Sequence, residues 1–287
     1  GSGENRATDA AKQAVSSPLL ETSINGATDA IINVTGGASL TLFEVEEAAE
    51  VIRTAANTDI NTIFGAVINE NLKDIGVDVK DIDYVVITHN HKDHVSALKT
   101  LLDKTGAALI VSEKMFYSIE DVKEYKHIIV LEDEINLDGI HITSFKSSHD
   151  APDSRNYVFE CDGKKLAYVT DTGYVNAKNF KYLKNLDIYL FESNHDIELL
   201  MNGPYPEWLK RRVYSDEGHL SNKTASFYLT KLVGDKTKKI VLIHLSETNN
   251  LESIAMETIN NTFLDYGIDF HDIICAKQDE KTEVIEI

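Results

Sequence analysis

Apolar and polar positions along this chain fall into blocks of two different periods. "ENRATDAAKQAVSSPLLET" has helical spacing, whereas "AIINVT" is a short continuous apolar run closed by Gly36 and Gly37, the pattern of a buried strand. "TLFEVEEAAEVIRTAA" returns to helical spacing, with acids near its start and Arg53 near its end, as the helix dipole favours. "INTIFGAVI" reads as a second strand. The first 74 residues therefore predict an α-β-α-β unit. After a linking stretch, "NENLKDIGVDVKDID", the pattern resumes with the strand "YVVIT", the loop "HNHKD" and the helix "HVSALKTLLDK". Later apolar, β-branched or aromatic runs end in "ITSFKSSHDAPDS", "KKLAYVTDTGYV" and "KKIVLIHLSETNN", each followed by turn residues. Strands alternating with helices indicate an α/β chain.

Composition divides the chain at the same place. All ten histidines, all twelve tyrosines and the single tryptophan follow residue 80, and the first 74 residues contain neither His nor Cys. Two pieces of different character are joined. With 287 residues, 43% hydrophobic and 26% charged, the whole is globular and long enough for one large or two small domains. A net charge of -19 lacks the basic footprint of a protein that holds nucleic acid by Lys and Arg alone, although a bound metal can reverse the field locally. Cys161 and Cys275 form no disulfide framework, and no apolar run approaches the roughly 18 residues of a membrane span. The opening "GSGENRATDAAKQ" has no initiator Met and no signal-peptide core, so the expectation is a cytoplasmic chain that begins as a fragment.

The segments "GENRATDAAKQAVSSPLLETSINGA", "IINVTGGASLTLFEVEEAAEVI" and "IFGAVINENLKD" resemble the tubulin-like cell-division GTPase FtsZ over about residues 1 to 74. The resemblance is confined to the start of that family's C-terminal domain. The family's Gly-rich nucleotide loop and acidic synergy-loop residue lie upstream of this stretch, so no GTPase activity is carried over. The "TGG" at Thr35 to Gly37 reads as a turn rather than a phosphate loop.

The chemistry is concentrated in "THNHKDH". A strand ending at His89, a loop presenting His91 and a helix start presenting Asp93 and His94 would aim four side chains into one pocket. Imidazole and carboxylate together suit borderline or hard divalent metals such as Zn, Mn or Fe. His149, Asp171 and His244 end later strands, where an α/β scaffold presents functional side chains. Taken singly, each has a structural alternative: Asp171 a helix cap, His149 or His244 a satisfied core histidine.

The ordered set "THNHKDH", "SSHD", "TDTG" and "IHLS" resembles the metallo-β-lactamase superfamily. "FESNHDIELL", "YPEWLKRRVYSDEGHLSN" and "LIHLSETNN" are similar to its YycJ/WalJ branch of metal-dependent DNA exonucleases, over about residues 75 to 287. That resemblance implies two divalent ions: His89, His91 and His149 hold one, Asp93, His94 and His244 the other, and Asp171 bridges them. It implies a metallo-β-lactamase-like αβ/βα sandwich, preceded here by the FtsZ-like α-β-α-β unit where the branch has its N-terminal strands. That unit would either pack on the exposed sheet edge or form an independent lobe. The expected reaction is hydrolysis of DNA phosphodiesters, with Asp93 accepting the nucleophile's proton. Glu192 and His219 resemble the pair that protonates the leaving oxygen in the related ribonuclease Z; the alternative for His219 is a helix cap. His195 reads either as a residue steering a ligand or as a helix-start cap, and His127, His141 and His271 as structural. "WLKRR" either grips a phosphate backbone or is a solvated helix face. The competing functions are another hydrolase of the superfamily, acting on lactams or thioesters, an inactive chimera with an incomplete metal site, or an FtsZ-filament binder resting on residues 1 to 74.

Overall fold

A computed structural model describes residues 6–15, 29–31, 42–56, 61–63, 76–278 and 280–286. The chain divides into two compact units, Gly1–Asp78 and Val79–Ile287. In the first, helices Arg6–Val15 and Leu42–Ala56 alternate with the strands β1 (Asp29–Ile31) and β2 (Asn61–Ile63), which pair in parallel. Ala7, Ala11 and Ala48 are buried between the helices, with Val51 and Ile52 packed against them. Small residues at these positions let the two helices approach closely. This is the α-β-α-β order that the apolar pattern predicts; Thr35, Gly36 and Gly37 lie outside the described residues.

The second unit holds two sheets. A three-stranded parallel sheet has the order β3-β4-β5, formed by Tyr84–Val86, Ala108–Val111 and Ile128–Val130. The seven-stranded sheet runs β12-β11-β10-β9-β8-β7-β6. Its strands are β6 (Glu134–Leu137), β7 (Ile140–Lys146), β8 (Arg155–Cys161), β9 (Lys164–Val169), β10 (Ile188–Glu192), β11 (Lys239–Ile243) and β12 (Ile273–Cys275). β6, β7, β8 and β9 are joined antiparallel, and β9, β10, β11 and β12 parallel. Consequently β7, β9, β10 and β11 all point the same way. Their C-terminal ends meet at one edge.

Apolar faces hold these layers together. Tyr189, Phe191, Ile240 and Leu242 of the large sheet pack with Ala225 and Leu229 of helix Asn222–Leu232 and Ile259 and Phe263 of helix Glu252–Asp265. Ile110 of β4 shares a second cluster with Ile142 and Tyr157 of the large sheet, so the two sheets face one another. Helix Leu98–Thr105 buries Leu98 and Leu102, four residues apart, and ends at Gly106, whose φ of 69° is the left-handed conformation glycine adopts without penalty. Among the described residues no helix is long and apolar enough to cross a membrane.

Candidate metal centre

The strand ends deliver their side chains as the pattern predicts. Tyr157 Oη donates to the Ile87 carbonyl at 2.6 Å and the Arg155 amide to the Thr88 carbonyl at 2.9 Å, so β8 fixes the backbone directly ahead of His89. The short helix Lys92–Val95 then carries Asp93 and His94, with His91 just before it. From the large sheet come His149 after β7, Asp171 after β9, Glu192 at the end of β10 and His244 after β11. Asp171 and His244 have φ of 49° and 59°. Non-glycine residues pay a conformational cost there, of a size that recurs at functional sites.

Asp171 is the hub. Its Oδ1 lies 3.8 Å from His89 Nε2, 3.6 Å from His149 Nε2 and 3.7 Å from His244 Nε2, and its Oδ2 lies 3.4 Å from His94 Nε2. No helix follows it, so it is not a cap; it is 2% exposed and accepts from Thr170 Oγ1 at 2.7 Å. Three overlapping groups have ligand atoms close enough to share an ion: His89, His91 and His149; His89, His94 and Asp171; and Asp93, His94 and His244. A fourth group joins Asp171 and His244 to Glu192 and His219.

The remaining nitrogens of these imidazoles are tied from behind, which fixes ring orientation. Thr88 Oγ1 contacts Nδ1 of His89 at 3.1 Å and of His94 at 3.3 Å. His149 Nδ1 donates to the Gly218 carbonyl at 3.1 Å, and His244 Nδ1 to Glu192 Oε1 at 3.0 Å. His91 instead turns Nδ1 to His149 Nε2, at 3.2 Å.

This donor set fits a metal. His89 Nε2 is buried without a hydrogen-bond partner, although buried polar atoms are nearly always satisfied. Burial and the neighbouring imidazoles push His89 down to about 2, which keeps it neutral and able to ligate. His244 is raised well above its ordinary value: Asp93, Glu192 and Asp171 outweigh the opposing effect of burial. Asp93 is held well below the usual carboxylate range by His244 and His94. The pocket thus combines a neutral His89 nitrogen with carboxylates that favour positive charge.

Glu192 is fully buried and saturated. Oε1 accepts from His219 Nδ1 at 2.8 Å and His244 Nδ1 at 3.0 Å, and Oε2 from the amides of Thr172 at 3.0 Å and Leu220 at 3.2 Å. Burial alone would raise this carboxyl, but His219 and His244 hold it low. His219 is not a cap, because Ser221 caps helix Asn222–Leu232 through the Thr224 amide. Asp196, not His195, caps helix Ile197–Asn202. His195 is buried against Asn194 and Tyr214 and is not itself a member of any of these metal-binding groups. His127 bonds the Gly106 carbonyl, His141 bonds Asn136, and His271 pairs at the surface with Asp269.

Sequence reasoning passed over Asp150. Its Oδ1 lies 3.6 Å from Nε2 of both His91 and His149, and Arg212 grips it with Nε and Nη2 at 2.5 and 2.9 Å. Its position directly after His149 was the one available signal.

Residues 57–245 match the family model described as the Beta-lactamase superfamily domain. The chain belongs to this superfamily. Residues 1–83 match the FtsZ family, C-terminal domain. The superfamily chain is 36% identical over 234 residues to exodeoxyribonuclease WalJ of Streptococcus pneumoniae, covering 78% of this chain and 87% of that one. It is 34% identical over 200 residues to exodeoxyribonuclease YycJ of Bacillus anthracis, covering 68% and 76%. Among solved structures, the metallo-beta-lactamase fold protein YhfI from Bacillus subtilis superposes with a TM-score of 0.56 at 15% identity, covering 75% and 83%. Superfamily membership, with the site's donor set, implies divalent metal ions.

Proposed function

We propose that this chain is a dinuclear-metal phosphodiesterase that digests DNA from an end, in the cytoplasm. The observation that carries the reading is the Asp171 carboxylate, which contacts imidazoles of both candidate ligand sets. The names of the relatives WalJ and YycJ support DNA as the substrate. In this reading His89, His91 and His149 would hold one ion and Asp93, His94 and His244 the other, with Asp171 serving both; Zn, Mn and Fe all suit these ligands. Divalent ions bound here supply an activated water and neutralise charge on the oxygen under attack.

The chain's own groups supply the proton transfers and the orientation. In this reading Asp93, with 64% of its side chain exposed, accepts the nucleophile's proton. His219, held by Glu192 at 2.8 Å, is the general acid for the leaving oxygen. Thr88, Gly218 and Glu192 keep the ligand rings aimed. Residues 75–287 form the catalytic part, and the FtsZ-like residues 1–74 contribute none of these groups.

The test is metal content by mass spectrometry, paired with manganese-supplemented digestion of end-labelled DNA by wild type and His91→Ala. About two ions per chain and digestion lost in the variant are expected. Little metal together with DNA loss that His91→Ala leaves intact would overturn the reading in favour of an inactive chimera.

A further inference from the structure

The helix Glu207–Val213, "EWLKRRV", borders the metal centre, and its cations have different fates. Lys210 is buried, donating to the Met201 carbonyl at 2.7 Å and pairing with Glu207 at 3.5 Å, so its charge is spent holding the helix. Arg212 is turned to the site. Its bidentate grip on Asp150 places the guanidinium one carboxylate away from His91 and His149. Asp93 and Asp171 also act on it, adding to the effect of Asp150 in raising its affinity for its proton. With five donors and only two engaged by Asp150, Arg212 keeps further N–H groups for an anion, and 40% of its side chain is exposed.

Trp208 stands four residues earlier, on the same helix face, where side chains are neighbours with Cβ atoms about 5–6 Å apart. It is 66% exposed, a large aromatic surface left in water. Asp93, Asp150, Asp171 and Glu192, when ionised, carry as much negative charge as two divalent cations carry positive, so a guanidinium at the rim adds attraction for a phosphodiester.

We propose that Arg212 and Trp208 form the entry site for a single-stranded polynucleotide end. Arg212, oriented by Asp150, binds a backbone phosphate beside the metal centre, and Trp208 stacks the neighbouring base. The inference rests on the phosphodiesterase reading and names the form of its substrate. Stacking tolerates any base, so the site selects an unpaired strand rather than a sequence.

Trp208 is the chain's only tryptophan, so intrinsic tryptophan emission reports on this position alone. The full-length chain is titrated with a phosphorothioate-linked oligothymidylate, which resists cleavage, and in parallel with a blunt duplex. Saturable quenching by the single strand at lower concentration than by the duplex is expected. Arg212→Gln should move the midpoint upward about tenfold or more, with Arg212→Lys in between. Trp208→Ala, read by anisotropy of a labelled oligothymidylate, should weaken binding on the order of tenfold, and Trp208→Phe less. Wild type that digests end-labelled DNA without a change in Trp208 emission, or that binds equally well after Arg212→Gln, overturns the entry site and leaves the phosphodiesterase reading standing. A metal-loaded wild type that neither digests nor binds DNA overturns both.

Discussion

Replacing Glu192 with glutamine keeps the shape of a fully buried side chain and exchanges one acceptor oxygen for an NH2 donor. The carboxylate serves two pairs of donors, the Thr172 and Leu220 amides on Oε2 and the His219 and His244 imidazoles on Oε1. A glutamine oxygen can satisfy only one pair. The backbone amides cannot turn away, so the amide oxygen goes to them and the NH2 group faces the imidazoles. Each imidazole must then accept at Nδ1 and carry its proton on Nε2. For His244, Nε2 is the atom 3.7 Å from Asp171 Oδ1 and 3.9 Å from Asp93 Oδ2, and a protonated nitrogen has no lone pair for a metal. Loss of such an orienting partner weakens metal binding about 10–100-fold, or about 1.4–2.7 kcal/mol. Competition with a chromophoric chelator measures this directly, and circular dichroism of the metal-stripped variant shows whether the fold persists. A folded Glu192→Gln chain that holds its ions as tightly as wild type would refute the tautomer argument.

Two further outcomes follow from groups around the centre. A Cβ on Gly218 would lie 2.2 Å from the Val213 carbonyl oxygen and 2.3 Å from that of Arg212, both backbone atoms; Gly218→Ala should therefore displace the carbonyl that holds His149, costing about 1–3 kcal/mol in thermal stability and lowering metal content, and an unchanged melt and metal content would count against it. Burial pushes His195 from 6.5 down to about 4, so the unfolded chain takes up a proton that the folded chain refuses; stability is complete above pH 6.5 and is lost as pH falls toward 4, by on the order of 3 kcal/mol. Denaturant melts of wild type and His195→Gln should diverge over that window, and parallel curves would show that His195 does not titrate in this way.

The parts of this site that the sequence displayed are those where chemistry and chain order coincide. "THNHKDH" stands out because imidazoles and a carboxylate crowd one strand-to-helix turn, and the structure brings His89, His91, Asp93 and His94 together there. His149, Asp171 and His244 were visible locally only as strand ends, and as ligands only through the family resemblance of "SSHD", "TDTG" and "IHLS". Their convergence depends on β7, β9 and β11 sharing a direction, which the antiparallel steps through β8 decide and apolar periodicity does not record. The pairing of Glu192 with His219 entered through family resemblance, since 27 residues separate them and neither flanking pattern requires the contact.

What local patterns could not show is the layer behind the ligands, because it is built from backbone atoms and distant partners. The Gly218 carbonyl aims His149 across 69 residues, and Arg212 reaches Asp150 across 62. The second contact places a positive charge beside the centre of an acidic chain. Net charge of -19 argued against a basic nucleic-acid groove, and that argument holds for the chain as a whole. It does not extend to the centre, where Asp93 and Asp171 belong to the candidate metal-binding groups and Asp150, beside His91 and His149, holds a guanidinium at the rim. The field that a phosphodiester meets is therefore set by a few placed charges at short range, while screening at about 8–10 Å in ordinary salt attenuates the rest of the surface.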